Sequence, residues 1–411
     1  VNIFKDFAKV RRVLRGMVDT RTSRRAVAQR LRGTERPAPG SIKIAVYFAD
    51  DAVNLYQMRQ WYAPLAELSK RWPVAIIARS PTSTLKLWDE APVPTLYLRS
   101  VASLEEFVAQ QDLHIVFYVN QNSRNFQMFR YGRMWHVFIN HGESDKMYMT
   151  TNQFKAYDYS LIAGDAARDR LGRTLWNYDL DARTMSIGRP QADHFAGELP
   201  FTPDERTTVL YAPTWEGDRP AAAYGSVVTH GVALVDALLA TGTHRVVYRP
   251  HPRSGVIQPA YARANQHIIA AIARANAEDP AAQHIYDDGN ILGWQLASAD
   301  VAITDISAMV YDRLATGRPI LVTRPENPLA EIDSSGYLGD AEWLTAADAP
   351  AIAEIVERVQ HSSDALEKLN WWVARYFGDT TPGRATARFH QAVETLMAEW
   401  DAAANSRQPS E

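Results

Sequence analysis

The sequence predicts an α/β protein in which two doubly wound domains face a central cleft, behind a basic helical arm. Three observations predict it. Short apolar runs alternate with helical stretches, the pattern of a parallel sheet covered on both faces. The polar, proline-bearing segment Glu198–Asp204 divides that alternation into two sets. Thr304–Asp312 has the form of a strand–turn–helix that holds an anion. A length of 411 residues accommodates two or three domains. The composition, 46% hydrophobic and 22% charged, is that of a folded globular chain. No apolar run approaches the roughly 18 residues of a membrane span. Without cysteine, disulfides, thiol nucleophiles and Cys-ligated metals are excluded.

The net charge of −3 conceals an asymmetry. Residues 1–36 carry eleven Lys and Arg against Asp6, Asp19 and Glu35, a local charge of +8. Phe4, Phe7, Val10, Val13, Leu14, Met17 and Val18 recur there at helical spacing. A basic amphipathic helix suits an anionic membrane surface, and its charge alone would also suit nucleic acid. A solvated arm packed on its own body is the plain alternative. The apolar face favours the membrane, so no nucleic-acid partner is expected.

After the linker Arg36–Gly40 the first domain is expected over 41–197. Its strand candidates are Ile42–Phe48, Val74–Ala78, Thr95–Leu98, Leu113–Val119, His136–Asn140, Tyr157–Ala163 and Met185–Gly188, with a helix over about 55–71. The second domain is expected over 205–380. Its strands are Thr207–Tyr211, His244–Tyr248, His284–Tyr286, Val301–Thr304 and Pro319–Thr323, with helices near 229–240, 258–276, 307–316 and 347–358. A helix over 381–404 is expected to cross back to the first domain.

Ligands of doubly wound sheets bind beyond the strand carboxyl ends, and the chemistry-bearing residues cluster there. Ser307 occupies an N-cap position after the strand that ends at Thr304-Asp305, so its hydroxyl and the following N–H groups suit a phosphate. Asp312, a turn and a half along, suits ribose hydroxyls. The stiff loop Arg249-Pro250-His251-Pro252-Arg253 presents three cationic or protonatable side chains suited to a pyrophosphate. Tyr211–Gly217, with Thr214, suits a cleft wall. In the first domain, His141-Gly142 follows a strand. Its imidazole titrates near neutrality and could serve as a general base, though a structural histidine is an equal reading. Gly188–Asp193 reads as a hinge. Walker A and Gly-x-Gly-x-x-Gly motifs are absent. Asp179 and Asp181 have metal-pair spacing but lie in a polar connection, so no metal site or cofactor is expected.

In order, His141-Gly142 with Lys146, Gly188 with Pro190 and Asp193, Tyr211–Trp215, His251-Pro252-Arg253, Thr304-Asp305 with Ser307 and Asp312, and Arg318-Pro319 resemble the CDP-glycerol glycerophosphotransferase family of teichoic-acid synthesis. The resemblance covers about 130–325. It departs at Glu143-Ser144-Asp145, where Thr-Pro-Leu is usual, at Glu216, where a basic residue is common, and at Ala308, where a second Ser is common. It implies a GT-B fold and peripheral attachment to the cytoplasmic face of the plasma membrane. It further implies transfer of glycerol or another alditol phosphate from a CDP-linked donor to a lipid-linked (polyprenyl diphosphate) saccharide, with release of CMP. His141 and His251 would be catalytic. Arg249, Arg253, Thr304, Asp305, Ser307, Asp312 and Thr214 would bind the donor. The alternative is a nucleotide-sugar glycosyltransferase of envelope polysaccharide synthesis with the same fold.

Overall fold

The computed structural model describes residues 21–33, 36–143, 150–289 and 292–406. The amphipathic stretch Phe4–Val18 and Lys146 lie outside them. The first sheet holds seven parallel strands in the order β3-β2-β1-β4-β5-β6-β7. They are β1 (Ile44–Phe48), β2 (Val74–Ala78), β3 (Thr95–Tyr97), β4 (Ile115–Tyr118), β5 (Trp135–Phe138), β6 (Tyr159–Ile162) and β7 (Thr184–Ser186). The second holds six parallel strands in the order β10-β9-β8-β11-β12-β13. They are β8 (Thr207–Ala212), β9 (His244–Tyr248), β10 (Ile285–Tyr286), β11 (Val301–Thr304), β12 (Ile320–Thr323) and β13 (Trp343–Leu344).

Strands buried on both faces read as continuous apolar runs, and β1, Ile-Ala-Val-Tyr-Phe, is buried throughout. Its alternate residues feed two cores. Ile44, Val46 and Phe48 pack with α1 (Leu55–Arg59) and α2 (Tyr62–Ser69) through Leu55, Met58 and Leu65. Ala45 and Tyr47 face α4 (Val101–Gln110) and α5 (Asp165–Thr174) through Leu104, Phe107 and Leu171. Between α2 and α4, α3 (Pro81–Glu90) joins β2 to β3. In the second domain α6 (Val232–Ala240), α7 (Pro259–Glu278) and α9 (Ile352–His361) cover one face. On the other, Leu210, Val247 and Ala302 bury Phe201 and Leu296.

Two strand ends of the first domain are closed by the second. α8 (Ala308–Leu314) and α10 (Ser363–Phe377) share a core with Ala166 of α5. A Cβ at Gly164 would stand 2.6 Å from the Tyr376 carbonyl oxygen. At Gly188, where φ is +71°, it would stand 2.9 Å from that of Phe377. Glycine is therefore required where α10 meets the ends of β6 and β7. The last helix, α11 (Arg384–Asn405), buries Phe389, Val393 and Leu396 against the first sheet. The Trp135 and Trp400 indoles tie it down, donating to Leu396 O at 3.1 Å and from α11 to Arg133 O at 2.8 Å.

Two elements differ from expectation. The helix expected over 55–71 is broken at Gln60-Trp61. Pro64 lacks the N–H that would reach Gln60 O, so the helix restarts with Pro64 in its first turn, where no internal donor is needed. β13 was not foreseen, being only two residues long. Residues 21–33 and Arg36 lie on the first domain. Val27 is buried, the Arg30 guanidinium stacks over Trp88 and pairs with Asp89 at 2.7 Å, and Arg36 pairs with Glu106 at 2.6 Å.

Candidate active site

Each sheet reverses direction of winding once, between β1 and β4 and between β8 and β11, and a crevice opens beyond the carboxyl ends at such a point. Most of the predicted site residues lie on the loops that leave these and neighbouring strands, while Thr304 ends β11 and Asp312 lies on α8.

In the first domain Asn140, in left-handed conformation (φ 54°), turns the chain after β5, and its side chain donates to Gly142 O at 2.5 Å. The Trp61 indole donates to Asn140 O. His141 Nδ1 lies 2.8 Å from Val119 O at the end of β4, so Nδ1 carries the proton and Nε2 keeps its lone pair. The Tyr56 ring meets the imidazole edge-on at 5.8 Å. Burial lowers the His141 pKa; the Val119 hydrogen bond opposes this, Arg189 lowers it further and Asp50 raises it. Behind this loop Asp50 accepts from Asn54 at 3.1 Å and Asn120 at 2.7 Å, and Asn120 also donates to Gln57 at 2.6 Å. Sequence reasoning missed this cluster. Asp50, the residue after Phe48-Ala49 at the end of the first strand, was its only signal.

In the second domain the proline-stiffened loop after β9 is fixed at two points. The His251 N–H donates to Pro213 O at 3.1 Å, and the Arg253 N–H donates to His251 Nδ1 at 3.1 Å. Nδ1 is thus an acceptor and the neutral imidazole holds its proton on Nε2. Burial and the nearby Arg253 lower the His251 pKa, while Glu216 raises it. The Arg253 guanidinium lies 3.7 Å over the Trp215 ring. Glu216 is the loop's anchor: its carboxylate accepts from the Gly255, Ile257 and Gln258 N–H groups at 3.0, 2.9 and 3.0 Å. Burial alone would raise this carboxyl, but the backbone donors of Gln258, Ile257 and Gly255 hold it below the ordinary range. A basic residue at 216 could accept from none of them.

Ser307 caps α8, its Oγ accepting from Met309 N at 3.2 Å. Four residues expected to bind the donor are enclosed or engaged within the protein itself. Asp305 is fully buried, accepting from Thr214 N at 2.7 Å, Ser226 N at 3.0 Å and Thr323 Oγ1 at 2.5 Å. Burial pushes its pKa up to about 6 against those hydrogen bonds, and the carboxyl knits β8, β11 and β12 together rather than meeting a ligand. Thr304 is likewise enclosed, at 0% exposure. Arg249 pairs with Asp287 at 2.5 Å and donates to Gly289 O at 2.9 Å, contacts that brace the end of β9. Asp312 is buried against Arg189, whose cation compensates it. Thr214 remains half-buried at the cleft wall, its N–H engaged by Asp305. The acidic pair of the first domain is also accounted for: Asp179 caps Ala182 N at 3.0 Å, and Asp181 pairs with Arg168.

The structure therefore places a neutral histidine beyond the carboxyl end of β5 in one domain, and His251 and Arg253, Ser307, and Thr214 beyond the carboxyl ends of β9, β11 and β8 in the other. Similar solved structures are the wall teichoic acid polymerase TagF (14% identity, 87% of this chain and 90% of that one, TM-score 0.56) and a UDP-N-acetylglucosamine 2-epimerase from Listeria monocytogenes (12%, 88% and 98%, 0.57). A glycosyltransferase from Rickettsia africae is also similar (11%, 87% and 99%, 0.51). They share the fold, two facing α/β domains of the GT-B kind. No curated protein matches the sequence. Residues 139–393, more than half of the chain and including every site residue predicted from the sequence, match CDP-Glycerol:Poly(glycerophosphate) glycerophosphotransferase. The chain belongs to the CDP-glycerol:poly(glycerophosphate) glycerophosphotransferase family.

Proposed function

We propose that this CDP-glycerol glycerophosphotransferase moves glycerol phosphate to a hydroxyl of a lipid-linked cell-wall glycopolymer, working peripherally at the cytoplasmic face of the membrane. The observation that carries the chemistry is the His141 hydrogen bond to Val119 O, which leaves Nε2 as an acceptor. The acceptor hydroxyl, a poor nucleophile while protonated, gives its proton to His141 Nε2 as its oxygen bonds to the glycerol-bearing phosphorus. The phosphorus–oxygen bond to CMP breaks, and CMP leaves with the electron pair. A phosphate leaving group needs charge neutralisation more than protonation. His251 Nε2–H, Arg253 and the Ser307 helix terminus are the groups positioned to supply it, a fixed polar environment at low reorganisation cost.

Arg253 stays available because an indole face, not a carboxylate, holds it. The lipid-linked acceptor and membrane attachment are drawn from the family likeness and the basic arm at residues 1–36. A thermal-shift panel tests donor choice. CDP-glycerol and CMP should raise the melting temperature, CDP-ribitol at most partly, and UDP- and GDP-sugars not at all. Stabilisation by a UDP- or GDP-sugar alone would replace this reading with glycosyl transfer.

A further inference from the structure

Arg189 and Asp312 take no part in the transfer just set out, yet they form an ion pair across the domain boundary with both side chains almost wholly enclosed (5% and 7% exposed). Arg189 follows β7 of the first domain, and Asp312 lies on α8, the helix that Ser307 caps. The same guanidinium donates to Gln60 Oε1 at 3.5 Å, at the break between α1 and α2. A Cβ built on Gly142, the residue after His141, would stand 3.5 Å from Arg189 Nη1. One cation thus lies beside Gly142, the residue after His141, and pairs with the helix that Ser307 caps. A buried ion pair seldom stabilises a fold more than an apolar pair would. Its attested use is to fix one register among several.

We propose that Arg189 and Asp312 are positioning residues that hold His141 and the Ser307-capped helix in a single arrangement across the cleft. This rests on the reading of His141 as the base. Among the described residues, the groups facing its imidazole are Arg189 from the end of β7, Asp50 from the end of β1, the Val119 carbonyl from the end of β4 and the Tyr56 ring from α1. Arg189 disfavours the imidazolium, and Asp312 partly cancels that charge. Removing Arg189 should therefore raise the His141 pKa, and removing the Asp312 charge should lower it. A merely structural staple would disturb both variants in the same direction.

The test is the pH dependence of kcat/KM for the full chain with CDP-glycerol, since its acid limb reports the base of the free enzyme. Donor affinity is followed by calorimetry. Arg189→Gln should move the acid limb up, and Asp312→Asn should move it down, each by about half a unit or more. Both should lose about ten-fold or more in kcat, because small misplacements of reacting groups are costly. Donor Kd should stay within about three-fold in both, as neither side chain is assigned to the donor. The double variant Arg189→Gln/Asp312→Asn should return the limb towards wild type while kcat stays low. It also carries the test if either single variant does not fold, an unchanged kcat then overturning the proposal. Limbs that stay fixed or move together overturn the proposal alone. Wild-type turnover in His141→Ala would instead remove the base assignment, and the proposal with it.

Discussion

At His141 one hydrogen bond decides the chemistry. Because Val119 O fixes the proton on Nδ1, Nε2 can accept, and burial keeps the imidazole neutral near physiological pH. His251 is arranged the opposite way. Its Nδ1 accepts from Arg253 N, so Nε2 donates, which suits a phosphate ligand better than a base. His251→Ala and Ser307→Ala should each weaken CMP or CDP-glycerol binding by about 1.5–3 kcal/mol, the range for a lost hydrogen bond to a charged group. Calorimetry measures this, and unchanged affinity in both would move the donor away from these loops. At this scale the sequence exposed residue types but not their burial. Ser307 was legible as a cap because an N-cap depends on local order alone. The partners of Asp305, Arg249 and Asp312 were not legible, because Thr323, Asp287 and Arg189 are distant from them in the chain.

The loop between β9 and α7 shows how an element is fixed by a residue outside it. Three N–H groups near the start of α7 converge on Glu216, which leaves β8 some forty residues earlier. Glu216→Ala should free those donors and let the His251 loop sample other conformations. The expected result is a donor affinity at least several-fold weaker and a stability loss of about 2–4 kcal/mol, read from calorimetry and urea unfolding. Wild-type affinity together with wild-type stability would mean the prolines alone hold the loop. Elements were the most legible scale. β9 and β11 fall where alternation and apolar runs place them, because a strand buried on both faces leaves a plain pattern. The break at Gln60-Trp61 and the two-residue β13 escaped because each depends on a few residues against a longer pattern.

For the whole molecule, the two-sheet architecture was visible in the two alternating sets of strands and helices. How the halves lock together was not, because α10, Gly164 and Gly188 meet only in three dimensions. The basic arm divides at this scale. Val27, Arg30 and Arg36 lie on the first domain, so the apolar face that the sequence gives Phe4–Val18 is the part expected to meet lipid. Deleting residues 1–20 should release the chain from anionic liposomes and leave CDP-glycerol binding intact. Each basic residue near the surface contributes on the order of 1 kcal/mol, screened by salt. Sedimentation at low and high salt checks both effects, and equal pelleting of full-length and truncated chains would place the membrane contact elsewhere.

The central claim is that His141 is the base of a transfer whose donor is held by the other domain. Its most direct test is single-turnover transfer from CDP-glycerol by His141→Ala, alongside the donor Kd of the same variant. The rate should fall by roughly 10²–10⁴-fold while donor Kd stays near wild type. A wild-type rate, or a donor affinity that collapses while residual turnover persists, would contradict it.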